Sequence, residues 1–338
     1  MKLPIAPDAP WLAPLAGFSD LPFRLLCREQ GAAVACTEMV SAKGLVYGLR
    51  RKKGEESATE DLLSTTVDDQ PLVVQLFCAE AEFAAEAVKI LKDRGFCFFD
   101  LNMGCSVPKV TKTGAGSAML KDVPNALRVA EAMIREAGEG RAGFKLRLGW
   151  ETGSEVYRDL ALALQEAGAA WVTLHPRSAR QAFGGSAQWP ALRVLSETLT
   201  IPVIASGDLF TAADAAACVA QTGVSGVMFA RGAIHNPAVF AAYGRAMQRG
   251  ESGAISQVSE PEHLDGQALL SLIHRHAELA RTLTPGRPGR NGAPPALLKM
   301  RTVVPRYVRH LPGAKGLRHS LSTCQSWEGL FAVLDEFF

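Results

Sequence analysis

The chain has 338 residues, 48% hydrophobic and 21% charged, with a net charge of +2. This is the balance of an ordinary soluble globular protein, long enough for one barrel of about 250 residues plus an appendage. No run approaches the ~18 uninterrupted apolar residues of a membrane span, and Met1–Pro10 carries three prolines but no apolar signal-peptide core. The expectation is a cytoplasmic protein with no membrane association. Seven cysteines, an odd number with no C-x-x-C pair, argue against a disulfide framework or a zinc site.

In chain order, eight short β-rich runs are predicted: Trp11–Leu15, Ala33–Glu38, Leu72–Phe77, Phe98–Met103, Ala142–Leu148, Trp171–His175, Pro202–Gly207 and Gly226–Arg231. Several are near-continuous apolar runs, as parallel strands buried on both faces require. Helical spacing marks Glu80–Arg94, Val123–Ala137, Glu155–Ala167, Pro190–Thr198, Ala212–Gln221 and Pro237–Arg249, with Gly95, Gly138, Gly168 and Gly223 placed as stops. Eight β/α alternations predict a (β/α)8 TIM barrel over residues 1–245. After Ser252–Glu260, which reads as a linker, Leu264–Leu283, Ala296–Val308 and Trp327–Phe338 predict a small helical domain over 246–338. From Leu279 to Trp327 there is no acidic residue but nine Lys and Arg, which is either a solvated face or a surface for a polyanion.

A TIM barrel carries its site at the C-terminal strand ends, and polar residues collect there: Glu38, Gln75, Asn102-Met103-Gly104-Cys105, Lys145, Arg147, His175, Arg177, Ser206-Gly207-Asp208 and Ala230-Arg231-Gly232. The last two segments suit a phosphate site, because small residues let backbone N–H groups approach an anion; tight βα turns would need the same glycines. Lys145 is costly to bury alone, and a Schiff base, a salt bridge or a cofactor contact would each explain it. Cys105, near Lys109 and Lys112, is either reactive or an inert turn cysteine. Gly138-Glu-Gly140-Arg-Ala-Gly143 matches G-x-G-x-x-G but runs helix to strand, the reverse of a dinucleotide fingerprint.

Taken in order, Ala13-Pro14-Leu15-Ala16-Gly17-Phe18-Ser19-Asp20 with Pro22-Phe23-Arg24, Thr37-Glu38-Met39-Val40, Gln75-Leu76-Phe77, Asp100–Cys105, Gly114–Ala118, Lys145–Trp150 and His175-Pro176-Arg177 resemble the tRNA-dihydrouridine synthases. The resemblance covers residues 10–242. It implies FMN at the barrel mouth, lined by Pro14, Leu15 and Ala16, reached by Gln75 and Lys145, packed by His175, with its phosphate at Ser206, Gly207, Asp208, Ala230 and Arg231. It implies NADPH or NADH as reductant, hydride from flavin N5 to C6 of a uracil, and a proton to C5 from Cys105, whose thiol type is mostly protonated at neutral pH. Asn102 and Arg177 become uracil contacts, the base leaving the tRNA stack to reach them. The helical domain becomes a grip on tRNA, with Arg287, Arg290, Arg301 and Arg306 on phosphates and no obligate protein partner. The chain departs from the family pattern at Ser106, where proline is common, at Ser206, where asparagine is usual, and at Ala230, where glycine is frequent. Two other readings compete: an FMN barrel acting on a small molecule, as dihydroorotate dehydrogenases and ene-reductases do, and a non-catalytic RNA-binding barrel.

Overall fold

The computed structural model describes residues 2–48, 58–248, 264, 266–284 and 293–338. Its strands are β1 (Trp11–Leu12), β2 (Val34–Cys36), β3 (Val40–Ser41), β4 (Leu72–Phe77), β5 (Phe98–Met103), β6 (Ala142–Arg147), β7 (Trp171–His175), β8 (Val203–Ala205) and β9 (Gly226–Phe229). All pairings between them are parallel, and β2 pairs with both β1 and β4, so the sheet closes on itself. Eight of these strands are the expected barrel. The ninth, β3, is a two-residue continuation of the second run, pairing with the top of β4 at Leu76 and Phe77.

The helices around the barrel are α1 (Leu21–Glu29), α2 (Ala42–Gly48), the single turn α3 (Ala58–Asp61), α4 (Ala81–Asp93), the single turn α5 (Pro108–Thr111), α6 (Val123–Ala137), α7 (Tyr157–Glu166), α8 (Pro190–Thr198), α9 (Ala212–Thr222), α10 (Arg231–His235) and α11 (Val239–Gln248). Four helices follow, α12 (Gly266–Leu283), α13 (Pro295–Tyr307), α14 (Ala314–Thr323) and α15 (Trp327–Phe337). Sequence periodicity anticipates most of them. It does not single out the short α2, α3, α5 and α10, nor α1, whose Pro22 and short length mask the pattern, nor α14, whose Gly316 and polar face give little contrast. Among the described residues no helix is long and apolar enough to cross a membrane, and all seven cysteines are free thiols.

The barrel interior shows how the site is made. Side chains alternate along a strand, so every second residue points inward. At the floor these are Trp11, Val34, Val73, Phe98, Trp171, Ile204 and Met228, one apolar cluster. Gly143 joins that layer because a Cβ there would lie 1.9 Å from the Trp171 ring. Two residues up β4, β5, β6, β7 and β8 the chemistry turns polar, at Gln75, Asp100, Lys145, Thr173 and Ser206. Register sets Gln75 beside Asp100, Asn102 beside Lys145, Lys145 beside Thr173, and Arg147 beside His175. The mouth is therefore a polar storey built on an apolar floor.

Helix α12 lies against α1, and its apolar residues join the same core as the barrel's outer shell. Within that junction Arg24 and Asp69, 1% and 0% exposed, form a bidentate pair (Nε–Oδ2 3.0 Å, Nη2–Oδ2 2.8 Å). Arg24 also donates to the Ser19 and Ser64 carbonyls, tying α1 to the loop before β4.

Candidate active site at the barrel mouth

A cavity of about 400 Å3 opens at the C-terminal strand ends, within the ~300–1,000 Å3 common for small-molecule sites. One wall is the β1 end, Ala13, Pro14, Leu15 and Ala16, with Phe18; facing it are Gly104, Cys105, Lys145, Arg147 and His175. Ser206, Gly207, Asp208, Ala230 and Arg231 close one end, together with Phe183 and Phe210. Of the residues singled out for a cofactor, all but Gln75 line this space.

Lys145 reaches the cavity from β6. Burial lowers its pKa, as does neighbouring Arg147, while Asp100 opposes the shift. Asp100 moves the other way: burial raises its carboxyl, which Gln75 and Lys145 partly offset. Among the described residues the Lys145 ammonium has no hydrogen-bond or ion-pair partner, and the Thr173 hydroxyl in register with it is buried and unpartnered. Unmatched polar groups of this kind are costly, and Lys145 lines a cavity large enough for a ligand that would match it.

Cys105 is half-buried and held by its backbone. Its N–H donates to Asn102 Oδ1 (2.8 Å), and its carbonyl accepts from the Ser117 N–H (2.9 Å) and hydroxyl (3.0 Å). Gly116, at φ +63°, must be glycine, because a Cβ would lie 2.6 Å from that same carbonyl. This gives the Gly114–Ala118 segment its task. Arg147 Nε donates to the preceding carbonyl, Gly104 (2.7 Å), and its Nη1 to Ser178 and Ala182. Among the described residues Arg147 Nη2 makes no hydrogen bond, so a cation with unused donors lines the cavity. Burial and the nearby Arg177 lower this guanidinium to about 10. Sequence inspection placed Arg147 on the strand but gave it no task. The signal was its position two residues after Lys145, on the same inward face.

Gln75 is fully buried beneath the cavity. Its Nε2 donates to Asp100 Oδ2 (2.6 Å) and its Oε1 accepts from Asn102 Nδ2 (2.8 Å). Arg177, 1% exposed, spends all five of its N–H groups. They go to Gly184, Gly185, both Asp208 oxygens (2.9 and 2.7 Å) and His175 Nε2 (3.2 Å). Burial first, then Lys145, Arg147, Arg177 and Arg231, pushes the His175 imidazole down to about 2. The ring is neutral, and with Nε2 accepting from Arg177 its proton sits on Nδ1.

Asp208 holds the other end together. It adopts φ +55°, and its carboxylate also accepts from the Ala187 N–H and Arg231 Nη2 (3.0 Å). Burial raises its pKa, but the arginines and the Ala187 N–H outweigh that, leaving it below the usual range. Arg231 lies between the Phe183 and Phe210 rings (4.8 and 4.7 Å), a stacked cation at the cavity end. Gly207, at φ +102°, has no room for a Cβ, which would meet His175 Cδ2 at 2.5 Å.

Of the basic run, Arg287 and Arg290 lie outside the described residues. Arg301 is half-buried and donates to the Ser322 carbonyl. Arg306 is exposed and stacks on Phe18 (4.7 Å), joining His235, Arg309 and His310 around a second cleft of about 290 Å3. Lys299 pairs with Asp20 (3.1 Å) and approaches Glu38 (4.0 Å), whose carboxylate accepts the Gly17 N–H (2.5 Å). The helical domain thus touches the loop that lines the cavity.

Comparison with known proteins identifies the family. The dihydrouridine synthase family model matches residues 11–326. A probable tRNA-dihydrouridine synthase 1 from Synechocystis sp. is 32% identical over 328 residues, 96% of this chain and 84% of that one. Probable tRNA-dihydrouridine synthases from Rhizobium leguminosarum (36%, 67% and 68% covered) and Rhodobacter capsulatus (34%, 78% and 80% covered) are similarly related. The likeness to the solved old yellow enzyme homologue from Zymomonas mobilis is looser, at 12% identity, 74% and 93% coverage and a TM-score of 0.48. With the family model spanning nearly its whole length, the chain belongs to the dihydrouridine synthase family and is a tRNA-dihydrouridine synthase.

Proposed function

We propose that the mouth cavity holds FMN, that NADPH or NADH reduces it, and that Cys105 protonates C5 of a tRNA uridine. The observation that carries this reading is the unpartnered Lys145 lining the same cavity as the backbone-pinned thiol of Cys105. When bound, the flavin supplies the hydride for C6 of the uracil.

The residues divide the work as follows. Pro14, Leu15 and Ala16 offer a flat apolar wall for the ring system. Lys145 supplies a positive charge to its polar edge, and Gln75 supports that edge from below. Neutral His175 packs against Gly207 and donates from Nδ1. Arg231, Gly207, Ser206 and the Ala230 backbone receive the phosphate, while Asp208, already neutralised by two arginines, fixes Arg231 in place. Cys105 holds the proton at Sγ until C5 takes it. Arg147 Nη2 and the second Nδ2 hydrogen of Asn102 are donors for the uracil carbonyls. Arg177, fully committed, acts on the uracil through Asp208 and His175. Ser106 adds no ring constraint after Cys105; Asn102, Ser117 and Arg147 supply the hold instead.

We assign the catalytic task to residues 1–245 and the grip on tRNA to 246–338, with Arg287, Arg290, Arg301 and Arg306 of the basic run on phosphates. The site of action is the cytoplasm. A small-molecule acceptor would leave the basic helices beside the mouth without a task.

The test is anaerobic reduction with NADPH followed by unmodified tRNA. Return of the oxidised flavin absorbance, with dihydrouridine detected by mass spectrometry, is the expected result. Reduced flavin that persists with tRNA but reoxidises with a small enone would move the assignment to a small-molecule reductase. Failure of the protein to take up FMN would remove the enzymatic reading.

A further inference from the structure

Asp100 is a buried carboxylate that touches neither the cavity nor any ion-pair partner within 4 Å among the described residues. Its one hydrogen bond begins a chain. Gln75 Nε2 donates to Asp100 Oδ2 (2.6 Å), Asn102 Nδ2 donates to Gln75 Oε1 (2.8 Å), and Asn102 Oδ1 accepts from the N–H groups of Cys105 (2.8 Å) and Gly104 (3.1 Å). The three side chains are 0–6% exposed, so water does not substitute for a missing partner.

The chain has a direction. Asp100 Oδ2 accepts from Gln75 Nε2, so the Gln75 amide stands with its NH2 toward Asp100 and its carbonyl toward Asn102. That carbonyl demands the Asn102 NH2, which leaves Asn102 Oδ1 facing the Cys105 loop. An amide is nearly symmetric in shape, so nothing in packing alone makes this choice. Reversed, Asn102 would set its NH2 against two backbone N–H donors and release the loop.

We propose that Asp100 is a positioning residue that sets the pose of Cys105 by fixing the orientation of Gln75 and then of Asn102. The proposal rests on Cys105 being the proton donor. It adds that the polarity of the donor's loop is dictated three hydrogen bonds away, from a group on the barrel's inner storey.

The holoenzyme tests it by half-reactions. Asp100→Asn is expected to keep its flavin, its melting temperature within a few degrees and its rate of reduction by NADPH. Its reoxidation by unmodified tRNA should slow tenfold or more. In a Cys105→Ala background the same substitution should add little, because both changes act on one group. An Asp100→Asn effect that persists undiminished with Cys105→Ala, or that falls equally on reduction by NADPH, would show that Asp100 acts through Lys145 and overturn the proposal. Cys105→Ala slow with Asp100→Asn at the parent rate sinks the relay alone; Cys105→Ala at the parent rate sinks the proton-donor reading and the relay with it. Where Asp100→Asn does not fold, Gln75→Glu with Asp100→Asn carries the test. That pair moves the carboxylate to the middle of the chain, where it accepts from both amides and keeps Asn102 oriented. Recovery of fold and reoxidation rate supports the relay, and a transposed protein no better than the single variant refutes it.

Discussion

At the scale of single residues, the mouth is a collection of cations arranged around few anions. Lys145, Arg147, Arg177 and Arg231 surround a neutral His175, and Asp208 is the shared counter-charge. Lys145 is the member without a partner, so it is destabilising in the empty barrel and useful only toward a ligand. Lys145→Met should therefore have opposite effects on two measurements. Melting temperature of the flavin-free protein should hold or rise, by the equivalent of about 1 kcal/mol, while FMN affinity should fall at least tenfold by fluorescence titration. A loss of stability without loss of affinity would assign the lysine to structure instead.

Elements carry the next constraint, because the barrel and the appended helices meet through α1. The buried Arg24–Asp69 pair fixes α1 against the loop preceding β4. Removing one partner leaves a charge in a dry site, so Asp69→Asn should cost about 3–5 kcal/mol in urea unfolding. A cost under about 1 kcal/mol would mean that solvent reaches the pair. At the same junction His276 on α12 is fully buried, packed on Phe23 and paired through Nδ1 with the Tyr307 hydroxyl (2.9 Å), and its Nε2 is unpartnered. Burial holds its imidazole down to about 4, with Asp20 raising it and Lys299 lowering it. An unfolded histidine protonates near pH 6.5, so between about pH 6.5 and 4 the unfolded state binds more protons and stability rises with pH. The contribution lost by pH 4 is on the order of 3 kcal/mol. His276→Gln should flatten the acid limb of the stability curve, and an unchanged limb would place the titration on other groups.

For the whole molecule, the proposed grip on tRNA gives the C-terminal helices two jobs. Lys299 and Arg306, both in the basic run, bind Asp20, Glu38 and Phe18, and Phe18 lines the cavity. The pairs are partly exposed, so each contributes ~1 kcal/mol or less. Lys299→Ala is then expected to speed FMN release by up to about fivefold in stopped-flow dilution; an unchanged rate would show that Glu38 and Gly17 hold the loop unaided. For tRNA, Arg306→Glu should weaken binding and reduce the salt slope by about 1. Arg301→Glu should do less, because that side chain is already bonded to Ser322. Equal effects from the two would mean that Arg301 leaves its carbonyl to meet RNA.

Much of this molecule is legible in one dimension. Strand and helix periods follow from local geometry, so eight β/α units and the polar strand ends could be counted along the chain. Alternation by two residues already put Lys145 and Arg147 on one face, and the acid-free run was visible as composition. What the chain order could not express is partnership. Arg177 looked free beside His175 until the fold brought Asp208, Gly184 and Gly185 to its five N–H groups. Gln75, expected at the cofactor's polar edge, is bonded by its amide to Asp100 and Asn102. Lys299 was one cation of the acid-free run until the fold set it against Asp20 and Glu38. Hydrogen bonds and ion pairs are satisfied across space, by groups tens to hundreds of residues apart. The sequence therefore determined which chemistries stand at the mouth, and only the tertiary structure decided which of them remain unspent for a ligand.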